Sequence, residues 1–196
     1  MAHHIYTTDA FVIESTLSGE ADRFFTLFTR DLGLVRAAAK GVRLQKSKLR
    51  SSLQDFSRST ISFVRGKEIW RITSAKLEDN LYHRYEKDKP IVHVIAHILG
   101  LIKRLVVGEQ KDEALFDILA NAFHFLEQRS SWADELKLFE IIVVLRILDN
   151  LGYLRQRLEF QDFLRTPWNE ELLLSMQEHK HIALKEINSS LKETQL

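Results

Sequence analysis

The chain has 196 residues, of which 45% are apolar and 28% are charged, and its formal net charge is only +1. This is the balance of an ordinary globular protein with one or two domains. Because it contains no cysteine, disulfides and thiolate metal sites are excluded. The longest apolar run, twelve residues from Ile91 to Ile102, is too short to span a bilayer, so we expect a cytoplasmic protein without a membrane partner.

The first 80 residues have the composition of short strands. Five runs rich in β-branched and aromatic residues alternate with turn signals: AFVIEST, RFFTLFT, LVRAAAK, STISFVR and EIWRITSA. Gly33 and Gly66 stand where tight hairpins need a positive φ, between runs two and three and between runs four and five. We predict a meander of five strands that closes into a barrel of the oligonucleotide-binding (OB) type, with a first domain at residues 1–80.

The pattern becomes helical after Pro90. Long helices are predicted from Pro90 to near Gly108, over DEALFDILANAFHFLEQ and over DELKLFEIIVVLRILDNLGY, followed by two shorter amphipathic pieces, WNEELLLSM and HKHIALKEINSSLKE. The predicted fold class is therefore α+β, in which an OB-fold barrel precedes an all-α helical domain at residues 81–196.

The near-zero net charge conceals a basic region. Residues 36–76 contain 11 lysines and arginines against 2 acidic residues, a net charge of +9. Such a region attracts polyanions, whereas an isolated basic run is more often only a solvated loop. We favour nucleic acid here because the basic run connects two strands of the predicted barrel. The candidate DNA-binding residues are Lys40, Arg43, Lys46, Lys48 and Arg50 in the loop, and Arg36, Arg65, Lys67, Trp70 and Arg71 on the strands.

Aromatic side chains could add base stacking to these charges. Trp70, which precedes Arg71, is the best candidate for stacking, although burial in the barrel is the more common place for a tryptophan. Phe24, Phe25, Phe28, Phe56 and Phe63 are interpreted as barrel core.

Signatures of catalysis are absent from the sequence. It contains no nucleophile elbow, phosphate-binding glycine loop, dinucleotide fingerprint or zinc-protease motif. His93 and His97 lie four residues apart on one predicted helix, but a metal site needs further ligands. We therefore predict a protein that is not an enzyme and that uses neither a cofactor nor a metal.

Four ordered segments resemble the RecO family of bacterial recombination mediators and DNA repair proteins. They are GEADRFFTLFT, DLGLVRAAAKGVRLQKSKLRSSLQDF, VRGKEIWRITSAKL and, at the end of the third long helix, LDNLGYL. The residues that carry the resemblance are Gly19, Glu20, Asp22, Arg23, Gly33, Ala39, Lys40, Gly41, Leu53, Gln54 and Phe56. Family members often have a cysteine-based zinc motif after the last segment, and this chain has no cysteine there and a shorter C-terminal part.

The resemblance implies a function in DNA repair and recombination through the RecF pathway. It implies binding to single- and double-stranded DNA, annealing of complementary strands, and assistance in loading RecA onto strands covered by single-stranded-DNA-binding protein (SSB). RecR is the implied partner, RecF is a further one, and RecA is implied indirectly.

An alternative is a protein-interaction scaffold whose basic barrel only steers acidic partners. A groove on the helical domain edged by Lys103, Arg104, Lys137 or Arg146 would suit the acidic C-terminal tail of SSB, so the two hypotheses are compatible.

Overall fold

The structure is a computed structural model that describes residues 4–155 and 158–194. The chain forms two compact units, Met1–Glu113 and Ala114–Leu196. The strands end at Asn80, and the first unit continues beyond them through two helices. The functional assignment of residues 1–80 and 81–196 as separate domains stays a prediction.

Five strands form a closed barrel in the first unit. They are β1 (Ile5–Ser18), β2 (Asp22–Thr29), β3 (Gly33–Ala39), β4 (Ser57–Arg65) and β5 (Trp70–Asn80). Their order around the barrel is β1-β2-β3-β5-β4, and β3 and β5 are the parallel pair. This is an OB fold, as predicted. The predicted meander is wrong in one connection, because the long segment 40–56 carries β4 past β3 to pair with β1.

Strand alternation builds the barrel core. Phe25 and Leu27 of β2 point inward with Val35, Ala37 and other apolar side chains of the remaining strands. Ala37 lies opposite Trp70 in the parallel pairing, so a small residue faces the largest core ring. The alternation in β3 leaves Arg36 exposed between two buried neighbours.

The two predicted hairpin glycines behave differently. Gly33 has the expected positive φ of 70°. Gly66 does not, so the prediction of its φ is wrong, although β4 and β5 do form an antiparallel pair. A glycine is required there for space, because a Cβ atom would lie 2.5 Å from the Ile69 carbonyl oxygen.

Two helices complete the first unit, α1 (Leu81–Tyr85) and α2 (Lys89–Leu105). The Asn80 side chain accepts a hydrogen bond from the backbone N–H of His83 and so caps α1. Asp88 caps α2 in the same way, and Pro90 occupies its first turn. The apolar face of α2 packs on β1 and β2.

The second unit is helical. It contains α3 (Glu113–Gln128), α4 (Glu135–Asn150), a 3-10 turn (Leu158–Phe160), α5 (Gln161–Arg165) and α6 (Glu170–Glu193). Helix α4 is buried on most sides and packs against α5 and α6. The two short amphipathic pieces predicted near the C-terminus are one continuous 24-residue helix. No glycine or proline interrupts the sequence between them, so nothing local breaks the helix.

Candidate nucleic-acid interface

The outer surface of β2, β3 and β5 carries two of the predicted cations. Phe24 pairs with Ala38 across β2 and β3, and Ala38 pairs with Arg71 across β3 and β5. Arg36 lies two residues before Ala38 on the same side of the strand, and both arginines are exposed. We call Phe24, Arg36, Ala38 and Arg71 the sheet face.

Phe24 gives the sheet face an aromatic ring. The guanidinium carbon of Arg36 lies 4.9 Å from the centre of the Phe24 ring, within the range of a cation–π contact. The interpretation of Phe24 as barrel core is therefore wrong, because its neighbour Phe25 takes the inward position. Phe63 is buried in the barrel core as expected. Phe28 is buried but does not belong to the barrel core cluster, and Phe56 is only half-buried.

The connection between β3 and β4 carries the five cations that were predicted in the loop. We call residues 40–56 the basic loop. Its five cations, Lys40, Arg43, Lys46, Lys48 and Arg50, are all exposed, and within the described part of the chain none of them has a carboxylate partner. Val42 and Leu53 are buried in the barrel core and anchor the loop at two points. The loop therefore presents its charge from a defined position.

The first turn of the basic loop is fixed to the β1–β2 turn. The backbone N–H of Gly41 donates to the Asp22 carboxylate at 2.7 Å. The Arg43 guanidinium donates to the carbonyl oxygens of Glu20 at 2.7 Å and Gly19 at 3.3 Å. These acceptors are neutral, so Arg43 is oriented without losing its charge.

Trp70 lies inside the barrel and not on its surface. Its side chain is 3% exposed, and its indole N–H donates to the Glu109 carboxylate at 2.8 Å. Arg65 lies over the same ring at 5.0 Å and donates to the other Glu109 oxygen at 3.0 Å. Because Trp70 is buried, it is not available to stack on bases, and that prediction is wrong. Glu109 partly neutralises the charge of Arg65. Lys67 on the adjoining turn is exposed.

The four residues predicted to contact a protein partner have different environments. Lys103, in the first unit, pairs with Glu14 at 2.8 Å and lies beside Arg104 along a shallow groove of α2. Lys137, in the second unit, pairs with Glu140 at 3.2 Å. Lys103, Arg104 and Lys137 thus remain accessible at the surface.

Arg146 is the exception, because it is a buried structural residue. It is 8% exposed, and it donates to the carbonyl oxygens of Phe163 at 2.7 Å and Thr166 at 2.6 Å. Its guanidinium also lies 4.5 Å from the centre of the Trp168 ring. Burial lowers the pKa of Arg146 to about 10. Arg146 therefore fixes α5 and the residue that follows it to α4, which corrects its prediction as a surface contact.

The histidines and acidic residues of the described ranges, 4–155 and 158–194, are dispersed. Within these ranges no three or more His, Asp or Glu side chains form a cluster suited to a metal ion. His93 and His97 are both exposed on α2. In the same residues, no helix has the length and hydropathy needed to cross a membrane.

Comparison with known proteins agrees with this architecture. Residues 1–81 match the family model described as "Recombination protein O N terminal". Residues 1–81 are thus similar to the N-terminal domain of RecO proteins. It is 31% identical over 147 residues to the DNA repair protein RecO of Caldanaerobacter subterraneus, covering 75% of this chain and 58% of that protein. It is 30% identical over 150 residues to the RecO of Dehalococcoides mccartyi, covering 76% and 57%. The chain thus spans a little more than half the length of these curated relatives.

Two of the segments with the RecO resemblance, the one from Gly19 and the one that contains the basic loop, meet at one place in the barrel. Gly19 and Gly41 both have positive φ angles, 62° and 64°, and form the two turns that Asp22 and Arg43 hold together. Leu53 is buried at the other end of the basic loop. The RecO-like residues therefore shape and position the basic loop.

The structure also brings together residues that sequence reasoning did not assign to the site. Arg23 and Tyr82 line a cleft with Arg43 and Arg50, although they are separated from these loop arginines by 20 to 39 positions. The sequence connects Arg23 only with the RecO resemblance. For Tyr82 the available signal was an aromatic residue two positions after the end of the last strand.

Proposed function

We propose that this chain, whose N-terminal domain matches that of RecO, binds single-stranded DNA on its barrel and acts in DNA repair and recombination. The observation that carries the proposal is the basic loop, whose five exposed cations lack carboxylate partners within the described part of the chain. Cations of this kind bind phosphates and release condensed counterions, and they do so without reading sequence. The curated relatives, which are named DNA repair proteins, support the same role.

The sheet face supports single strands in particular. Phe24 offers a partly exposed ring, and Arg36 covers part of it at 4.9 Å while keeping its own charge accessible. Arginine and aromatic planes are the surfaces on which unpaired bases stack. In an OB fold, the face of strands 2 and 3 with the adjoining loops is the general position for oligonucleotides.

The finer functions come from the resemblance to RecO. They are annealing of complementary strands, binding of double-stranded DNA, and loading of RecA onto SSB-covered strands together with RecR, with RecF in the same pathway. In this proposal the protein is not an enzyme and acts in the cytoplasm. The surface cations Lys103, Arg104 and Lys137 remain candidates for contacts with protein partners such as the acidic SSB tail.

The salt dependence of oligonucleotide binding tests this function. If the five loop cations neutralise about five phosphates, the log–log slope of affinity against salt should be near −3.5, at roughly −0.7 for each phosphate. This corresponds to about a hundredfold weaker binding at 200 mM than at 50 mM salt. Fluorescence anisotropy with a labelled oligothymidylate measures it. Absence of binding at 50 mM salt would reject the proposal and favour the scaffold alternative.

Removing the Glu109 charge should strengthen binding. In Glu109→Gln the side-chain carbonyl still accepts from the Trp70 indole, while Arg65 loses its ionic partner. One additional phosphate contact would steepen the salt slope by roughly 0.7 and raise affinity about fourfold at 0.15 M salt.

Glu68→Gln is the matched control for Glu109→Gln. Glu68 lies exposed on the same β4–β5 turn as Lys67, and its substitution changes the net charge equally. Equal effects of the two variants would mean that only the overall charge matters and that Glu109 does not restrain Arg65.

A further inference from the structure

A cleft of about 740 Å³ lies between the start of β2, the basic loop and α1. Its lining includes Arg23, Arg43, Arg50, Asp55, Phe56 and Tyr82, and we call it the arginine cleft. The volume is within the usual range for a small-molecule or nucleotide site.

The charge of the arginine cleft is positive. Arg43 donates only to backbone carbonyl oxygens, and Arg23 donates to the Ser15 hydroxyl at 3.0 Å. Arg50 is exposed and has no carboxylate partner within the described part of the chain. One carboxyl group, that of Asp55, shares the cleft with these three guanidinium groups, and burial raises its pKa. The three guanidinium groups outweigh this single acid, which favours an anionic ligand.

The part of the cleft that α1 lines is aromatic. The Tyr82 side chain is 47% exposed, and its ring meets that of His83 edge-on at 6.3 Å. Helix α1 is connected to the basic loop by a hydrogen bond between Asn80 and Gln54 at 2.7 Å. The cleft thus combines a wall of positive charge with an accessible ring, the two chemical requirements of a nucleotide.

One residue that lines the cleft, Phe56, has a strained backbone. Phe56 has a φ of 63°. In the described part of the chain it is the one residue other than glycine with a positive φ. Its N–H donates to the Val12 carbonyl at 2.8 Å, and its own carbonyl accepts from Leu81 at 3.2 Å. Such conformations persist where surrounding contacts hold them, and they occur frequently at binding sites.

From these features we infer that the arginine cleft binds one nucleotide of single-stranded DNA. The base stacks on Tyr82, and the phosphate lies among Arg23, Arg43 and Arg50. This site is separate from the sheet face, because Arg23 and Phe24 are consecutive residues of β2 and project to opposite sides of the strand. The barrel would therefore hold nucleic acid on two surfaces. The inference rests on the proposed DNA binding and adds a specific site to it.

Substitution of Tyr82 tests the inference with the labelled oligothymidylate. Tyr82→Ala should weaken binding about tenfold, since one base loses its stacking surface. The salt slope should not change, because no charge is removed. Tyr82→Phe keeps the ring and should bind within about twofold of wild type. Tyr153→Ala removes an exposed tyrosine of the second unit and should have no effect.

A double-mutant cycle locates the base and the phosphate in the same site. Tyr82→Ala and Arg50→Ala should be non-additive, because both act on one nucleotide, whereas Tyr82→Ala and Phe24→Ala should be additive. Inorganic phosphate at constant ionic strength should not displace the oligonucleotide.

The results of these experiments distinguish failure of the cleft inference from failure of the proposed DNA binding. If wild type binds with the expected salt slope and Tyr82→Ala binds equally well, the cleft inference is overturned and DNA binding stands. Displacement by inorganic phosphate without a Tyr82 effect would mean a simple anion site and would also overturn it. If wild type binds no oligonucleotide at all, the proposed function itself fails.

Discussion

Replacing Lys46, Lys48 and Arg50 together by alanine should weaken binding to single-stranded DNA about fiftyfold at 0.15 M salt. The salt slope should flatten by roughly 2 units, since three phosphate contacts contribute about 0.7 each. All three side chains are exposed, and within the described residues they form no ion pair. Anisotropy titrations at several salt concentrations measure both quantities.

The physical reason for this large effect is the position of the charges. The loop is anchored by buried Val42 and Leu53 and by the Gly41–Asp22 hydrogen bond, so its cations are presented from a fixed position and need little further ordering on binding. Phosphate contacts carry no sequence information, and the loss should therefore be similar for oligonucleotides of any sequence. The melting temperature should hardly change, because exposed charges contribute little to folding stability.

A control triple variant removes the same charge elsewhere. Lys180, Lys185 and Lys192 all lie on α6 of the second unit, and alanine is compatible with a helix at each position. If this control weakens binding as much as the loop variant, the effect is one of net charge and the basic loop has no special role. If the loop variant keeps the wild-type slope, the DNA contact lies on another surface.

Local patterns were sufficient to predict the strands, the long helices and the basic loop. The strands have β-branched and aromatic runs between turn signals, and β3 alternates between buried and exposed residues. The basic loop could be recognised because six cations precede the first acid between Arg36 and Asp55. These features depend on residues close together in sequence, and sequence reasoning recovers them.

Features that depend on distant partners were not predictable. Phe24 and Phe25 are adjacent, and only the barrel register decides which ring faces the core. Trp70 acquires its acidic partner from Glu109, 39 positions away. Arg146 is buried because backbone carbonyl oxygens of a later segment accept its hydrogen bonds, which no local pattern indicates. The arginine cleft likewise joins residues of three separate elements.

The β3–β5 pairing shows the same limit at the level of topology. It involves Ala37 and Ala38 with Trp70 and Arg71, a short parallel contact that no hairpin signal can reveal. Beyond it, the N–H of Leu34 donates to the Gly108 carbonyl at 3.2 Å, so the segment after α2 lies beside the first half of β3. That close approach depends on Gly33.

Gly33→Ala should lower the free energy of unfolding by about 3 kcal/mol or more, at the upper end of the range for a single substitution. Two costs combine. The φ of 70° is left-handed, which costs an alanine roughly 1–2 kcal/mol. The new Cβ would also lie 2.3 Å from the Gln110 carbonyl oxygen, so the backbone of one segment would have to move. A loss of about 3 kcal/mol corresponds to roughly 6–12 °C in melting temperature for a chain of this size.

Gly19→Ala separates the two costs, because Gly19 has a similar φ of 62° but no atom within 4 Å of the added Cβ. Gly19→Ala should therefore lose only the free energy of backbone strain, and each kcal/mol of that loss lowers the melting temperature by about 2–4 °C. Hydrogen exchange at Leu34 provides a second measurement, since its N–H should lose protection in Gly33→Ala as Gly108 is displaced. Equal melting temperatures for the two variants would mean that the segment 107–112 yields without cost. The close packing of that segment on β3, which positions Glu109 over Trp70 and Arg65, would then not contribute to stability.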